Sequence, residues 1–255
     1  MNPSTTVHPR PSADRPRRYL GRLSALAAIS AAGWFALAAT AAPASAVPAP
    51  GSGCAAVQII TARASTEAPG EGISGSLVTQ IVNSSGQTVA RASVSYPATL
   101  TNYAASSAQG VAALKQQLTS QVQRCPNQKI VLVGYSQGAH VVGDVLGGGG
   151  GGTLGATTAP VSSTVASKVV AVVQFGDPRH VVNQSYDLGT SRRNGLFPRT
   201  SAQLQVLAQY ASRIHSYCDS GDTFCDSGLN TVVHLTYLDR YQSAATQFVL
   251  GRIGG

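Results

Sequence analysis

Lys129-Ile-Val-Leu-Val-Gly-Tyr-Ser-Gln-Gly-Ala-His-Val-Val-Gly-Asp-Val-Leu146 is the stretch whose reading decides the fold. Ile130 to Val133 is a short, unbroken apolar run rich in β-branched residues, the pattern of a strand buried on both faces of a parallel sheet. Gly134-Tyr135-Ser136-Gln137-Gly138 follows at once. Val141, Val142, Val145 and Leu146 then recur with helical spacing. Strand, tight turn and helix with a serine at the apex give Gly-x-Ser-x-Gly the context of a nucleophile elbow, with the Ser136 hydroxyl above the carboxyl edge of the sheet. The motif alone says little in a chain with 27 glycines; the flanking periodicities give it weight.

Working outward, residues 1–46 read as a leader rather than as part of the fold. Arg10, Arg15, Arg17, Arg18 and Arg22 precede an apolar, Ala-rich run from Leu23 to Ala42, and Ala44-Ser45-Ala46 supplies a cleavage site. The run is long enough for a membrane anchor, but small residues and Pro43 end it where a signal peptidase would cut. Arg17-Arg18 resembles a twin-arginine signal, although Tyr19-Leu20-Gly21 fits that signal poorly, so the export route stays open. The expected product is a secreted chain with no stable membrane insertion. The leader takes 5 of the 18 basic and 1 of the 10 acidic residues, leaving 13 against 9 in residues 47–255. That balance makes no case for nucleic acid, and the remaining length suits one domain with one sizeable core, expected to be a monomer.

All four cysteines, Cys54, Cys125, Cys218 and Cys225, lie beyond the leader. Secretion and an even count point to two disulfides, with three connectivities possible. Local closure favours Cys218–Cys225, which leaves Cys54–Cys125. The lone Cys-x6-Cys spacing is poor for zinc, and no metal or cofactor is expected. Strands are expected at Ala55 to Thr61, Thr88 to Tyr96, Ile130 to Val133, Lys168 to Phe175 and Arg213 to Tyr217. Helices are expected at Ile73 to Ser84, Asn102 to Arg124, after Ser136, and from about Leu238 to Arg252. The alternation predicts a single α/β domain with a mostly parallel sheet of about five strands flanked by helices. The six glycines from Gly147 to Gly152 read as a mobile surface connection. No Lys-Ser/Thr comes after them, so they form no phosphate loop. Between Phe175 and Cys218 apolar periodicity is clear only near Leu204 to Leu207, too little for a helical lid, so Ser136 is expected to be open to solvent.

A serine nucleophile needs a base within hydrogen-bond reach and an acid to orient that base. His140, on the elbow helix, and His215, within a strand, read as structural. His180 and His234 both fall on expected loops after strands, and His234 comes late, in the chain order Ser, acid, His of this fold class. For the acid, Asp177 ends a strand, whereas Asp222 sits in the loop closed by Cys218 and Cys225; chemistry favours Asp222 because a pinned carboxylate is preorganised.

Gly134-Tyr-Ser-Gln-Gly138, Cys218-x3-Asp222-x2-Cys225, His234 and Ala62-Arg-Ala-Ser-Thr-Glu67 together resemble the cutinase family of secreted serine esterases, over essentially all of residues 54–252. The resemblance implies a small lidless α/β-hydrolase with Ser136 as nucleophile, His234 as general base and acid, and Asp222 as the orienting carboxylate. It also implies an oxyanion hole from the backbone N–H of Gln137 and a donor at Ser65. Ala64, where fungal members often have Gly, and the glycine run depart from the pattern. Gly176-Asp-Pro178 and Gly228-x-Asn230 look closer to actinobacterial and acetylxylan-esterase-like members. Leu229, Val232 and Val233, near His234, point to an apolar acyl chain in the substrate, as in cutin-like polyesters or short- and medium-chain esters. Acetylated xylan and lipid esters are the alternatives on the same machinery, and a catalytically dead surface-binding relative is the alternative without an enzyme.

Overall fold

A computed structural model describes residues 53–254; the expected leader and its cleavage point lie outside them. Six strands, β1 (Val57–Ala62), β2 (Val89–Ser93), β3 (Lys129–Tyr135), β4 (Val169–Phe175), β5 (Asp187–Leu188) and β6 (Ile214–Tyr217), form one sheet in the order β2-β1-β3-β4-β6-β5. Every adjacent pair is parallel. The strand beyond the expected five is β5, whose two residues are too short to leave a period. It exists because β6 pairs with it, Ser216 N–H donating to Tyr186 O at 3.0 Å and Cys218 N–H to Leu188 O at 2.9 Å.

Helices α1 (Gly75–Ser84), α2 (Tyr103–Arg124), α3 (Gln137–Gly147), α4 (Ser163–Ala166), α5 (Ser201–Ala208), α6 (Thr231–Leu235) and α7 (Tyr237–Ile253) cover the sheet. The alternating side chains of the strands divide the core in two. Ile130 and Leu132 of β3 join Ile60, Val172 and Ile214 against Leu114 and Leu118 of α2 and Val141, Val142 and Val145 of α3. Val131 and Val133 point the other way, with Ile59, Val173 and Phe175, against Leu77, Val78 and Ile81 of α1 and Tyr237, Val249 and Ile253 of α7. A strand buried on both faces cannot alternate polar with apolar, which is why β3 reads as a continuous apolar run. The stretch near Leu204 is an ordinary packing helix: α5 begins with a capping box between Thr200 and Gln203, and Leu207 rests against Gly147, at the opposite end of α3 from Ser136.

The glycine run differs from expectation. Gly147, Gly148 and Gly149 are buried, and Gly149 pairs with Thr158 through N–H···O bonds of 3.0 and 2.9 Å. The amide of Gln203 donates to the carbonyls of Gly148 and Gly150, and Arg179 donates to Gly150 O at 3.0 Å. Backbone without side chains lets these distant donors reach the carbonyls directly, so the segment is a pinned turn rather than a mobile surface connection.

Cys54 is bonded to Cys125 and Cys218 to Cys225. The connections diverge between β1 and β3, the switch point at whose carboxyl edge α/β sheets hold their sites. The loop after β1, the elbow after β3, Gly176 after β4 and the Cys218–Cys225 loop after β6 all open at that edge.

Candidate active site

Ser136 sits between β3 and α3 with φ 55° and ψ −119°, a conformation that costs a non-glycine residue about 1–3 kcal/mol. The surroundings hold it there: Ser136 N–H donates to Phe175 O at 2.8 Å, and Ser136 O accepts from His140 N–H at 3.1 Å as α3 begins. Gly138 is required because a Cβ at that position would run into the carbonyl of Ala62, the end of β1. The serine is more covered than expected, 8% exposed.

His234 is buried and lies on α6, not on a loop as expected. Five residues show no period; the helix forms because the Asn230 side chain accepts from the N–H groups of Val232 and Val233. Asn230 is itself tied to the loop after β6, its N–H donating to Gly221 O at 2.9 Å. His234 Nδ1 and Asp222 Oδ2 are 2.8 Å apart. Burial opposes charge on Asp222, but its hydrogen bond with His234, the imidazole's charge and N–H donors from Cys225 and Phe224 outweigh that, holding its pKa below the ordinary carboxylate value. An ionised carboxylate only accepts, so the proton in this contact belongs to Nδ1, and in the neutral tautomer this contact selects it is Nε2 that carries the lone pair.

Three neighbours with no signal of their own in the sequence complete the site. Tyr237 donates its hydroxyl to Asp222 Oδ2 at 2.8 Å while accepting from Asp219 N–H. Phe224 packs its ring 4.4 Å from the imidazole. Tyr135, adjacent to Ser136, donates to the carbonyl of His234. A Cβ at Gly176 would lie 2.7 Å from Nδ1 and Cε1 of the same ring. Since Gly176 directly follows Phe175, whose carbonyl holds Ser136, imidazole and serine flank the same end of β4.

Gln137 opens α3, so its N–H is one of the first-turn donors without an intrahelical acceptor. Ser65 Oγ donates to its side-chain Oε1 at 3.1 Å, which ties the loop after β1 to the start of α3. Leu229 is 99% and Val232 67% exposed, whereas Val233 is half-buried. The other candidates face elsewhere. Asp177 receives Arg199 Nη1 and the N–H of Arg179. His180 Nδ1 lies 3.6 Å from Asp187 Oδ1. His140 is buried between Tyr103 and Asp144, and His215 stacks on Phe248. Among the described residues, no cluster of three His, Cys, Asp or Glu side chains is arranged to hold a metal ion.

The cutinase family model matches residues 53–253. Acetylxylan esterase 2 of Talaromyces purpureogenus is 35% identical over 210 residues, 79% of this chain and 88% of that protein. Cutinase 11 of Verticillium dahliae is 35% identical over 209 residues, 78% of this chain and 70% of the relative. Among solved structures, the catalytic core domain of acetyl xylan esterase from Trichoderma reesei superposes with a TM-score of 0.73 at 31% identity, covering 78% of this chain and 99% of that one. The chain belongs to the cutinase family.

Proposed function

We propose that the chain is secreted after cleavage behind Ala46 and hydrolyses esters of short- and medium-chain apolar acids by acyl transfer through Ser136. As a member of its family the chain is a cutinase-type serine esterase, a carboxylic ester hydrolase. Ser136 Oγ attacks the ester carbonyl carbon while His234 Nε2 takes the hydroxyl proton. The carbonyl oxygen, now an oxyanion, receives the N–H of Gln137 and a donor of Ser65. Asp222 stabilises the imidazolium, which returns the proton to the departing alcohol and leaves an acyl-serine. Water, deprotonated by the same imidazole, releases the acid and restores Ser136. One chain supplies every group, so the reaction asks for no partner subunit.

The observation that carries this reading is the buried 2.8 Å His234–Asp222 contact at the end of β4 where the strained Ser136 is held. The exposed Leu229 and Val232, within five residues of His234, support an apolar acyl chain. A second reading, removal of acetyl groups from xylan, draws on the likeness to the Talaromyces and Trichoderma acetylxylan esterases. Rates on p-nitrophenyl esters from acetate to long chains, with cutin and acetylated xylan beside them, separate the two. An optimum at medium chain with cutin release supports the first; activity confined to acetyl esters supports the second. Unchanged rates in Ser136→Ala would remove both.

A further inference from the structure

Arg63 follows β1 directly, two residues before Ser65, and is 3% exposed. A long cation in the interior normally meets a carboxylate. The hydrogen bonds of this guanidinium go to backbone carbonyls instead. Nε donates to Glu67 O at 2.9 Å, Nη2 to Tyr96 O at 2.6 Å and Pro97 O at 3.3 Å, and Nη1 to Val94 O at 3.4 Å. The contact is returned: Tyr96 Oη donates to Arg63 O at 2.5 Å, and the Tyr96 ring lies 5.0 Å from the guanidinium carbon. Thr66, at φ 70°, donates its N–H to Ala98 O at 2.7 Å. The Glu67 carboxylate folds back onto the N–H groups of Ala64 and Ile73 at 2.6 and 2.7 Å.

These contacts bind residues 63–67 to the segment after β2 on both sides of Ser65. A planar fork with five donors can span carbonyls of two chain segments in one fixed geometry, which an ammonium cannot. From the elbow side, Gln137 Oε1 takes the Ser65 hydroxyl. Ser65 is therefore fixed from β1, β2 and α3 at once, although it lies in a loop. An oxyanion donor stabilises developing charge only if it is aimed in advance, and a displacement near 1 Å costs on the order of 10²-fold in rate. From this geometry we infer that Arg63 is a positioning residue for the reaction: it holds the loop after β1 so that Ser65 meets the oxyanion. This rests on the oxyanion role proposed for Ser65.

The test is a kinetic double-mutant cycle on a soluble p-nitrophenyl ester with Arg63→Lys, Ser65→Ala and the pair. Lysine keeps the charge and reaches a carbonyl but cannot span both segments. The expected result is that Arg63→Lys lowers kcat about 10-fold or more with KM within about twofold, because the interaction is made only in the transition state. The pH profile keeps its shape, since His234 and Asp222 are untouched. The combined variant should lose much less than the product of the single losses, because Ser65 is the group through which Arg63 acts. Multiplicative losses, or a change in KM alone, overturn the inference. If Arg63→Lys does not fold, Tyr96→Phe, which removes only the hydroxyl donated to Arg63 O, replaces it in the same cycle with a smaller loss and the same criterion. Ser136→Ala run alongside separates the two claims: if it stays active, the underlying site is wrong, whereas an inactive Ser136→Ala beside a multiplicative cycle defeats only the role of Arg63.

Discussion

Asp222→Asn exchanges one oxygen for an NH2 at the centre of the proposed site, and the hydrogen bonds around the carboxylate dictate its effect. Asp222 Oδ1 accepts from the N–H groups of Phe224 and Cys225 at 2.7 and 2.9 Å, and Oδ2 accepts from His234 Nδ1 and Tyr237 Oη at 2.8 Å each. An asparagine must place its NH2 in one of these positions. The backbone N–H groups cannot change role, so the amide oxygen stays with them and the NH2 turns to the imidazole. His234 then presents Nδ1 as an acceptor, which moves its proton to Nε2, where the Ser136 proton must go. The side chain keeps its shape, yet the base is in the wrong tautomer. The same substitution in a serine-protease triad lowers kcat about 10⁴-fold, or about 5.4 kcal/mol of transition-state stabilisation, and that is the size expected here. Steady-state kcat on p-nitrophenyl butyrate near neutral pH measures it, with the thermal midpoint as the control for folding. A loss under about tenfold in a folded variant refutes this assignment of the acid. So does Asp177→Asn, folded, losing more.

Gly176→Ala should lower kcat severalfold or more with KM little changed, because φ is +60° there and the new methyl would stand 2.7 Å from the His234 ring; retained activity in a folded variant contradicts the placement. Replacing Cys218 and Cys225 together by serine should cost about 2.5 kcal/mol by loop entropy and lower kcat beyond that, since the closed loop carries Asp222; chemical denaturation and kinetics on one preparation separate the two effects. Burial pushes the Asp187 carboxyl up to about 6. Its raised pKa means the fold holds a proton that the unfolded chain releases, so this group lowers stability as pH rises from the ordinary carboxylate value to about 6, with no further change above. Asp187→Asn should therefore raise the thermal midpoint by several degrees at pH 7.5, at most about 6–12 °C, and lose that advantage near pH 3.5; an advantage that grows on acidification contradicts the burial of this group.

The parts legible in the sequence were those made by short-range pattern. The β3–elbow–α3 unit, helices α1, α2 and α7, and strands β1, β4 and β6 show in apolar periods because each buries a face against the core, and β2 shows through its alternation although its residues are only partly buried. Elements held by long-range partners did not show. β5 exists only through β6, and the Gly147–Gly152 turn is pinned by Arg179 and Gln203 from segments far along the chain; α6 has a local cap at Asn230 but is too short to leave a period. The site divides the same way. Ser136 was readable from its own neighbours. Chemistry alone left Asp177 and Asp222 both open, because what distinguishes them is spatial: Arg199, 22 residues on, occupies Asp177, while α6 brings His234 onto Asp222. Tyr237, Phe224 and Tyr135 are ordinary aromatic residues in sequence, and their roles appear only where three segments meet around the imidazole.

Covalent labelling tests the central claim most directly. The chain would be treated with a fluorophosphonate ester at stoichiometric amounts, and ester hydrolysis monitored while the modified peptide is identified by mass spectrometry. A serine activated by an adjacent general base predicts one adduct per chain, on Ser136, with activity falling in proportion to labelling and no label in Ser136→Ala. Labelling at another residue, or hydrolysis that persists once Ser136 is fully modified, would contradict the account.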